Sequence, residues 1–155
     1  MQGKGGNQTL QADYTTIPVH VRSGIILPLR MKNAMTTTDL RKQDFELVIA
    51  QGATDHKAHG SLYMDDGINI KQDKTTSLTF TWTPGNLTVS GKFDYPIGVK
   101  LARVRIAGAD SPITAASLVK DGKRSTATSK WDNGSKVIEV DLNIPFDGGF
   151  TLLTS

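Results

Sequence analysis

The stretch Thr16–Arg30, TIPVHVRSGIILPLR, decides how the rest of the chain is read. Two short β-branched runs, Ile17–Val21 and Ile25–Leu29, flank Ser23-Gly24, and each carries a proline, Pro18 and Pro28. Apolar side chains stand at nearly every other position. Proline has no backbone donor, so both runs read as edge strands or strand starts rather than central rungs. Gly24 permits a bend between them. The expectation is an N-terminal strand pair, with strands at Ile17–Arg22 and Ile25–Leu29.

Downstream of this stretch the pattern stays β. Phe45–Ala50 reads as a strand, and Gly60–Met64 as its antiparallel partner, stopped by the turn residues Asp65-Asp66-Gly67. Leu78, Phe80 and Trp82 share one face of Ser77–Thr83, and Pro84-Gly85 turns that strand back into Leu87–Gly91. Val99–Ala107 alternates, with its inner face expected on the side of Ala102, Val104 and Ile106. Asp121-Gly122 is a tight-turn signal between Ala115–Lys120 and Lys123–Thr128. A further turn at Asp132-Asn133-Gly134 leads to a strand with Ile138, Val140 and Leu142 on one face, and Phe150–Leu153 is the last strand. Strands recurring about every 8–12 residues with turns between them predict an all-β chain, an antiparallel β-sandwich preceded by the strand pair. No helix is expected. The polar segment Lys32–Lys42 offers only a short turn capped by Thr38 or Asp39.

Composition narrows the function classes. The chain has 155 residues, no cysteine, 15 glycines and a formal charge of +3. The length fits one domain, or one plus part of another. No dense Lys/Arg run with interleaved aromatics occurs, which argues against a nucleic-acid partner. No apolar run approaches the ~18 residues of a membrane helix, so no membrane partner is expected. The first ten residues, MQGKGGNQTL, have no apolar centre and do not read as a signal peptide. Residues 1–13 read as a flexible leader. Three N-glycosylation triplets begin at Asn7, Asn86 and Asn133.

Catalytic groups are not evident. Asp65 and Asp66 are the adjacent acidic pair, but neighbouring strand residues point to opposite faces and cannot flank one bond. His56 and His59 lie three apart beside Asp55, and the spacing suggests no third ligand for a metal. No G-x-S-x-G nucleophile context and no cysteine nucleophile exist. The expectation is no catalytic residue, no metal and no cofactor. Sugar binding would need exposed aromatic rings. Trp82 alternates with Leu78 and Phe80 and reads as core, whereas Trp131 lies close to a turn and, with Tyr95, is the candidate carbohydrate contact.

The opening stretch resembles a segment of glycoside hydrolase family 31, whose members typically carry an IPVHVRGG-IILP-like sequence just after the catalytic barrel. Here it reads Ile17-Pro-Val-His-Val-Arg-Ser-Gly-Ile-Ile-Leu-Pro28, with Ser23 where the family more often has glycine. Thr36-Thr-Thr38 and Leu40-Arg41, Phe45–Ala50, Gly60–Gly67 and Val99–Gly108 resemble further family landmarks, in the family's order. The match covers about residues 12–155 and is similar to fungal members in particular.

The resemblance implies a retaining α-glycosidase whose two carboxyl groups, about 5–5.5 Å apart, lie on a (β/α)₈ barrel. Nothing here matches the family's WxDMNE segment, and such a barrel needs roughly 250 residues. The chain is therefore expected to be a non-catalytic C-terminal module, with residues 14–44 a remnant of a proximal sandwich and 45–155 a distal one. The first strands of that proximal sandwich are missing. The opening strands then either pair onto the distal sandwich as a sheet edge packed on it, which is the expectation, or leave an apolar edge exposed; the edge residues Ile17, Val19, Ile25 and Ile26 would suit a glycosidase catalytic barrel or another protein. A free-standing carbohydrate-binding module and a secreted interaction protein are the alternatives. The family also implies a secretory location.

Overall fold

In the computed structural model, which describes residues 6, 7 and 9–155, ten strands and one short helix follow in order. They are β1 (Ile25–Arg30), α1 (Thr37–Arg41), β2 (Phe45–Ala50), β3 (Ala58–Met64), β4 (Thr76–Thr83), β5 (Asn86–Phe93), β6 (Lys100–Ala107), β7 (Ala116–Lys120), β8 (Lys123–Asp132), β9 (Val137–Pro145) and β10 (Phe150–Thr154). The leader expected at 1–13 falls partly on residues 1–5 and 8, which lie outside the described residues.

The all-β expectation holds, and the sandwich gives way to a closed barrel in the order β1-β2-β6-β9-β8-β7-β10-β5-β4-β3. The sheet is also mixed. β2 pairs with β6 in parallel, and β1 meets β3 in parallel. Two narrow seams close the ring. At the first, β1 touches β3 through the single pair Ile25 and His59. At the second, β8 changes partner along its length: Lys123–Ala127 pair with β7 and Thr128–Asp132 with β9. Alternation in a sequence reports which face of a strand is buried. It does not report whether the edges of two facing sheets are joined by hydrogen bonds, so a sandwich and a barrel closed this narrowly share one pattern.

The seam at β1 depends on Gly60. A Cβ there would collide with the carbonyl oxygen of Ile26, so only glycine lets the two backbones approach. Beyond Ile25, β1 has a ladder partner on the β2 side alone, and this leaves room for Pro28, paired with Leu47 but lacking a donor.

The core follows from two-residue periodicity. In β4 burial alternates strictly, with Thr76, Leu78, Phe80 and Trp82 inside. Phe45, Leu47 and Ile49 enter from β2, and Ile138, Val140 and Ile144 from β9. Thr76 is the buried polar residue among these, and its hydroxyl donates to the Tyr95 carbonyl at 2.7 Å. The rings of Phe45 and Phe146 meet edge-on with centroids 5.6 Å apart. Burying a Phe or Leu side chain contributes about 1.5–3 kcal/mol each, so these positions dominate stability.

Four local expectations need correction. Ile17–Arg22 forms no strand, so the N-terminal strand pair is a single strand. β3 pairs with β4 and β1 and never with β2, whose ladders go to β1 and β6. In β6 an irregularity between Leu101 and Arg103 reverses the alternation, so Val99 and Leu101 are buried as well as Val104 and Ile106. A short helix exists, and its cap is Thr36, whose hydroxyl accepts from the Asp39 N–H at 3.1 Å. The turns were legible: Asp121-Gly122 closes β7 to β8 with positive φ at both residues, as a two-residue hairpin requires.

Candidate functional site

Three surfaces carry the chain's accessible chemistry. The first is the segment before β1. Ile17 and Val19, 84% and 78% exposed, stand out from the barrel together with Tyr14 and Val21. Ile17, Val19 and Val21 are two residues apart, so in extended backbone they lie along one side. Pro18 withholds a donor in their midst, and the segment has no ladder partner among the described residues. Ile25 is half-buried, while Ile26 is 1% exposed and points into the core. Of the four residues expected to form an apolar sheet edge, Ile17 and Val19 are exposed but belong to no strand, and Ile26 is buried in the core and cannot belong to such an edge.

The segment borders an open cleft of ≈ 730 Å³ at the barrel end where β1 begins. Arg22, Ser23, Asp55, Lys57, His59 and Thr83 line it, over the edge of Trp82. The Trp82 indole N–H donates to the Gln51 side chain at 3.3 Å, which holds the 51–57 loop over the core. In that loop Asp55 accepts from the Lys57 N–H at 3.1 Å, and His56 adopts φ 53°. Among the described residues no group of three His, Cys, Asp or Glu side chains is placed to hold a metal.

The second surface holds an ion ladder across β2, β6 and β9. Arg105 Nε lies 2.8 Å from Glu139 and 3.9 Å from Glu46, and Arg103 Nε lies 3.1 Å from Asp141. The hydrogen bond that the Arg105 guanidinium donates to Glu139 raises the Arg105 pKa above its ordinary value. The sequence carried this signal, because Arg103 and Arg105 alternate on β6 as Glu139 and Asp141 alternate on β9. The register that places them side by side is a long-range fact.

The third surface is the loop after β3. Asp65 accepts from the Gly67 N–H at 2.8 Å, and Asp66 accepts from the N–H groups of Ile68 at 2.9 Å and Asn69 at 3.0 Å. These donors, with the Gln72 amide, hold the Asp66 carboxyl far below the usual carboxylate range. Arg41 donates to the Asp65 carbonyl. The acidic pair is thus a turn anchor, as its composition suggested. Ile68 and Ile70, 87% and 105% exposed, stand on this loop and had no signal in the alternation pattern.

The aromatic candidates do not assemble into one sugar platform. Trp131 lies within β8, opposite Ile138, and is half-buried against the core rather than exposed in a loop. Tyr95 is also half-buried against the core, beside Thr76. Trp131 is near the barrel end where β1 begins and Tyr95 is near the other end, as the ladder pairs Ile106–Ile138 and Thr76–Phe93 fix.

No protein-family model matches the chain. Its curated relatives include the probable alpha/beta-glucosidase agdC of Neosartorya fischeri, 40% identical over 149 residues that span 96% of this chain and 16% of that protein. A probable alpha/beta-glucosidase of Arthroderma benhamiae is 47% identical over 96 residues, 61% of this chain and 11% of that protein. Among solved structures, the glucosidase II alpha subunit superposes with a TM-score of 0.72 at 17% identity, covering 86% of this chain and 17% of that one. A Flavobacterium johnsoniae GH31 dextranase superposes at 0.52 and 14% identity, covering 87% of this chain and 19% of that one. The chain spans 16% of the length of the first curated relatives. Along nearly its whole length this chain is similar in sequence to a segment of fungal alpha/beta-glucosidases, and it has the fold of a segment of the glucosidase II alpha subunit and of a glycoside hydrolase family 31 dextranase.

Proposed function

We propose that the chain is the non-catalytic C-terminal barrel of an α-glucosidase-type hydrolase, and that its exposed segment Leu10–Val21 docks it on the remainder of that enzyme. The observation that supports the reading is the apolar side of this segment. It carries Ile17, Val19 and Val21 in the part of the sequence that most resembles the family, yet has no cover among the described residues. The use made of the carboxylates points the same way. Asp65, Asp66 and Asp132 hold turns, and Glu46, Glu139 and Asp141 are paired with arginines, which leaves these groups structural roles. Trp131 and Tyr95, half-buried at opposite ends, favour the accessory role over that of a free-standing sugar-binding module.

The purified chain is expected to release no chromophore from an aryl α-glucoside, and turnover by the pure chain would overturn the non-catalytic reading. Docking is tested separately. A Neosartorya relative truncated of the matching segment should bind the chain, and Ile17→Asp with Val19→Asp should abolish that binding without changing the melting temperature of the chain. Unchanged binding by the double variant would remove the segment from the interface.

A further inference from the structure

From the geometry of the β8–β9 turn we infer that Asn133 is an N-glycan attachment site and that the first sugar of that glycan packs on Trp131. The three acceptor triplets differ in structure. Asn86 is half-buried at the start of β5, with backbone paired to Thr83 on one side and Leu153 on the other. The triplet of Asn7 includes Gln8, outside the described residues. Asn133-Gly134-Ser135 is exposed at every position and occupies a hairpin turn.

That turn is held without the asparagine. The Asp132 carboxylate accepts from the Gly134 N–H at 2.9 Å and from the Ser135 hydroxyl at 2.6 Å. Lys136 closes the turn at φ 56°. Among the described residues the Asn133 side chain meets one protein partner, the Lys136 ammonium, 2.7 Å from its amide oxygen. Its amide nitrogen, the atom that is glycosylated, donates to no protein acceptor among those residues. The same ammonium stands 5.6 Å from the centroid of the Trp131 ring. Amide and indole therefore lie within the reach of one lysine side chain. Trp131 is the last but one residue of β8 and Asn133 opens the turn that follows it, so the two are neighbours at one end of the hairpin.

A pyranose linked to Asn133 would displace the ammonium and lay its C–H face on the part of the indole left open. The ring is rigid and already packed, so the contact costs little ordering. Attachment follows the chemistry of the triplet. The donor is a polyprenyl-diphosphate oligosaccharide presented by an oligosaccharyltransferase. The amide nitrogen attacks C1 of its terminal N-acetylglucosamine and an N–C bond forms. The C–O bond to the diphosphate breaks, the lipid diphosphate leaves with the electron pair, and a base of the transferase takes the amide proton. Lysine is a weak cap for an indole in water, and a sugar excludes more solvent from it.

The test is to secrete the full chain from yeast behind a cleavable signal. Enzymatic deglycosylation in ¹⁸O water, followed by peptide mass spectrometry, should convert Asn133 to ¹⁸O-labelled aspartate. A secreted, folded chain with Asn133 unmodified would overturn the site. The packing is read on the wild-type glycoform. Proton resonances of the innermost N-acetylglucosamine should shift upfield under the indole ring current, and unshifted resonances would overturn the contact. The glycoform should melt about 2–4 °C above the sugar-free Asn133→Gln chain, a shift accessible for a domain of this size. Trimming to one N-acetylglucosamine should keep the gain, and Trp131→Leu should remove it. A gain that needs the outer sugars, or survives Trp131→Leu, would count against the contact. If Trp131→Leu does not fold, the ring-current shift decides alone.

Discussion

Ile17–Arg22 and Ile25–Arg30 are close in composition, each a β-branched run with a proline and a terminal arginine, yet they reach opposite environments. The second run is β1, laddered on β2 from Ile25 to Arg30, with Ile26 in the core. The first stands in solvent with Ile17 and Val19 bare. Intrinsic strand preference does not separate them. What separates them is a partner, because a strand is stabilised by neighbours across the ladder and by burial of one face. β2 supplies both for the second run, and nothing among the described residues supplies either for the first.

The sharpest way to break this comparison is to truncate one isoleucine in each run. Ile26→Ala should destabilise the chain by about 2–5 kcal/mol, because it opens a cavity between β1 and the core. A urea titration measures this, and a loss no larger than that of a surface change would mean that β1 is not integral to the barrel.

Next is the seam that joins β1 to β3. Gly60→Ala forces the backbone away from the Ile26 carbonyl and should cost roughly 1–3 kcal/mol, the range for overpacking. Amide exchange should quicken in β1 and β3 and stay slow in β7 and β10. Uniform quickening would show that the barrel opens as a whole rather than at its narrow seam.

A smaller effect is expected at the end of β3 and only in acid. Asp66 has its carboxyl pKa lowered in the folded chain by the N–H groups of Ile68 and Asn69 and the Gln72 amide. Its contribution is therefore fully present above the unfolded carboxylate value of about 4 and is lost as pH falls below it. Urea midpoints of the wild type should decline over that window more steeply than those of Asp66→Asn. Parallel declines would remove Asp66 as the anchor of the loop.

The smallest effect is expected in the first run. Ile17→Ser should change stability by no more than about 0.5 kcal/mol, as exposed substitutions generally do. A larger loss would mean that the segment folds back on the barrel in solution.

Much of the fold was legible. Turns at Asp65-Asp66-Gly67, Pro84-Gly85 and Asp121-Gly122 declare themselves through residues that tolerate or require special backbone angles. The buried face of β4 declares itself through Leu78, Phe80 and Trp82. The inner face of β6 was only half legible, because the irregularity at Ala102 shifts the alternation and leaves no compositional mark. The site was less legible. Trp131 reads as a loop residue because a turn follows it closely, while β8 in fact runs on to Asp132. The ion ladder was visible as two alternating charge pairs whose meeting depended on the β6–β9 register.

By itself the sequence determined the all-β class, most strands and turns, and a family resemblance through ordered motifs, since these depend on local chemistry and on side-chain period. The tertiary structure alone decided which strands pair, that two parallel contacts exist, that Gly60 and the partner change in β8 close a barrel, and that Ile26 is core while Ile17 is surface. Those outcomes rest on contacts between residues far apart in the chain. Two runs of the same local chemistry can therefore differ only in whether a distant strand is there to receive them.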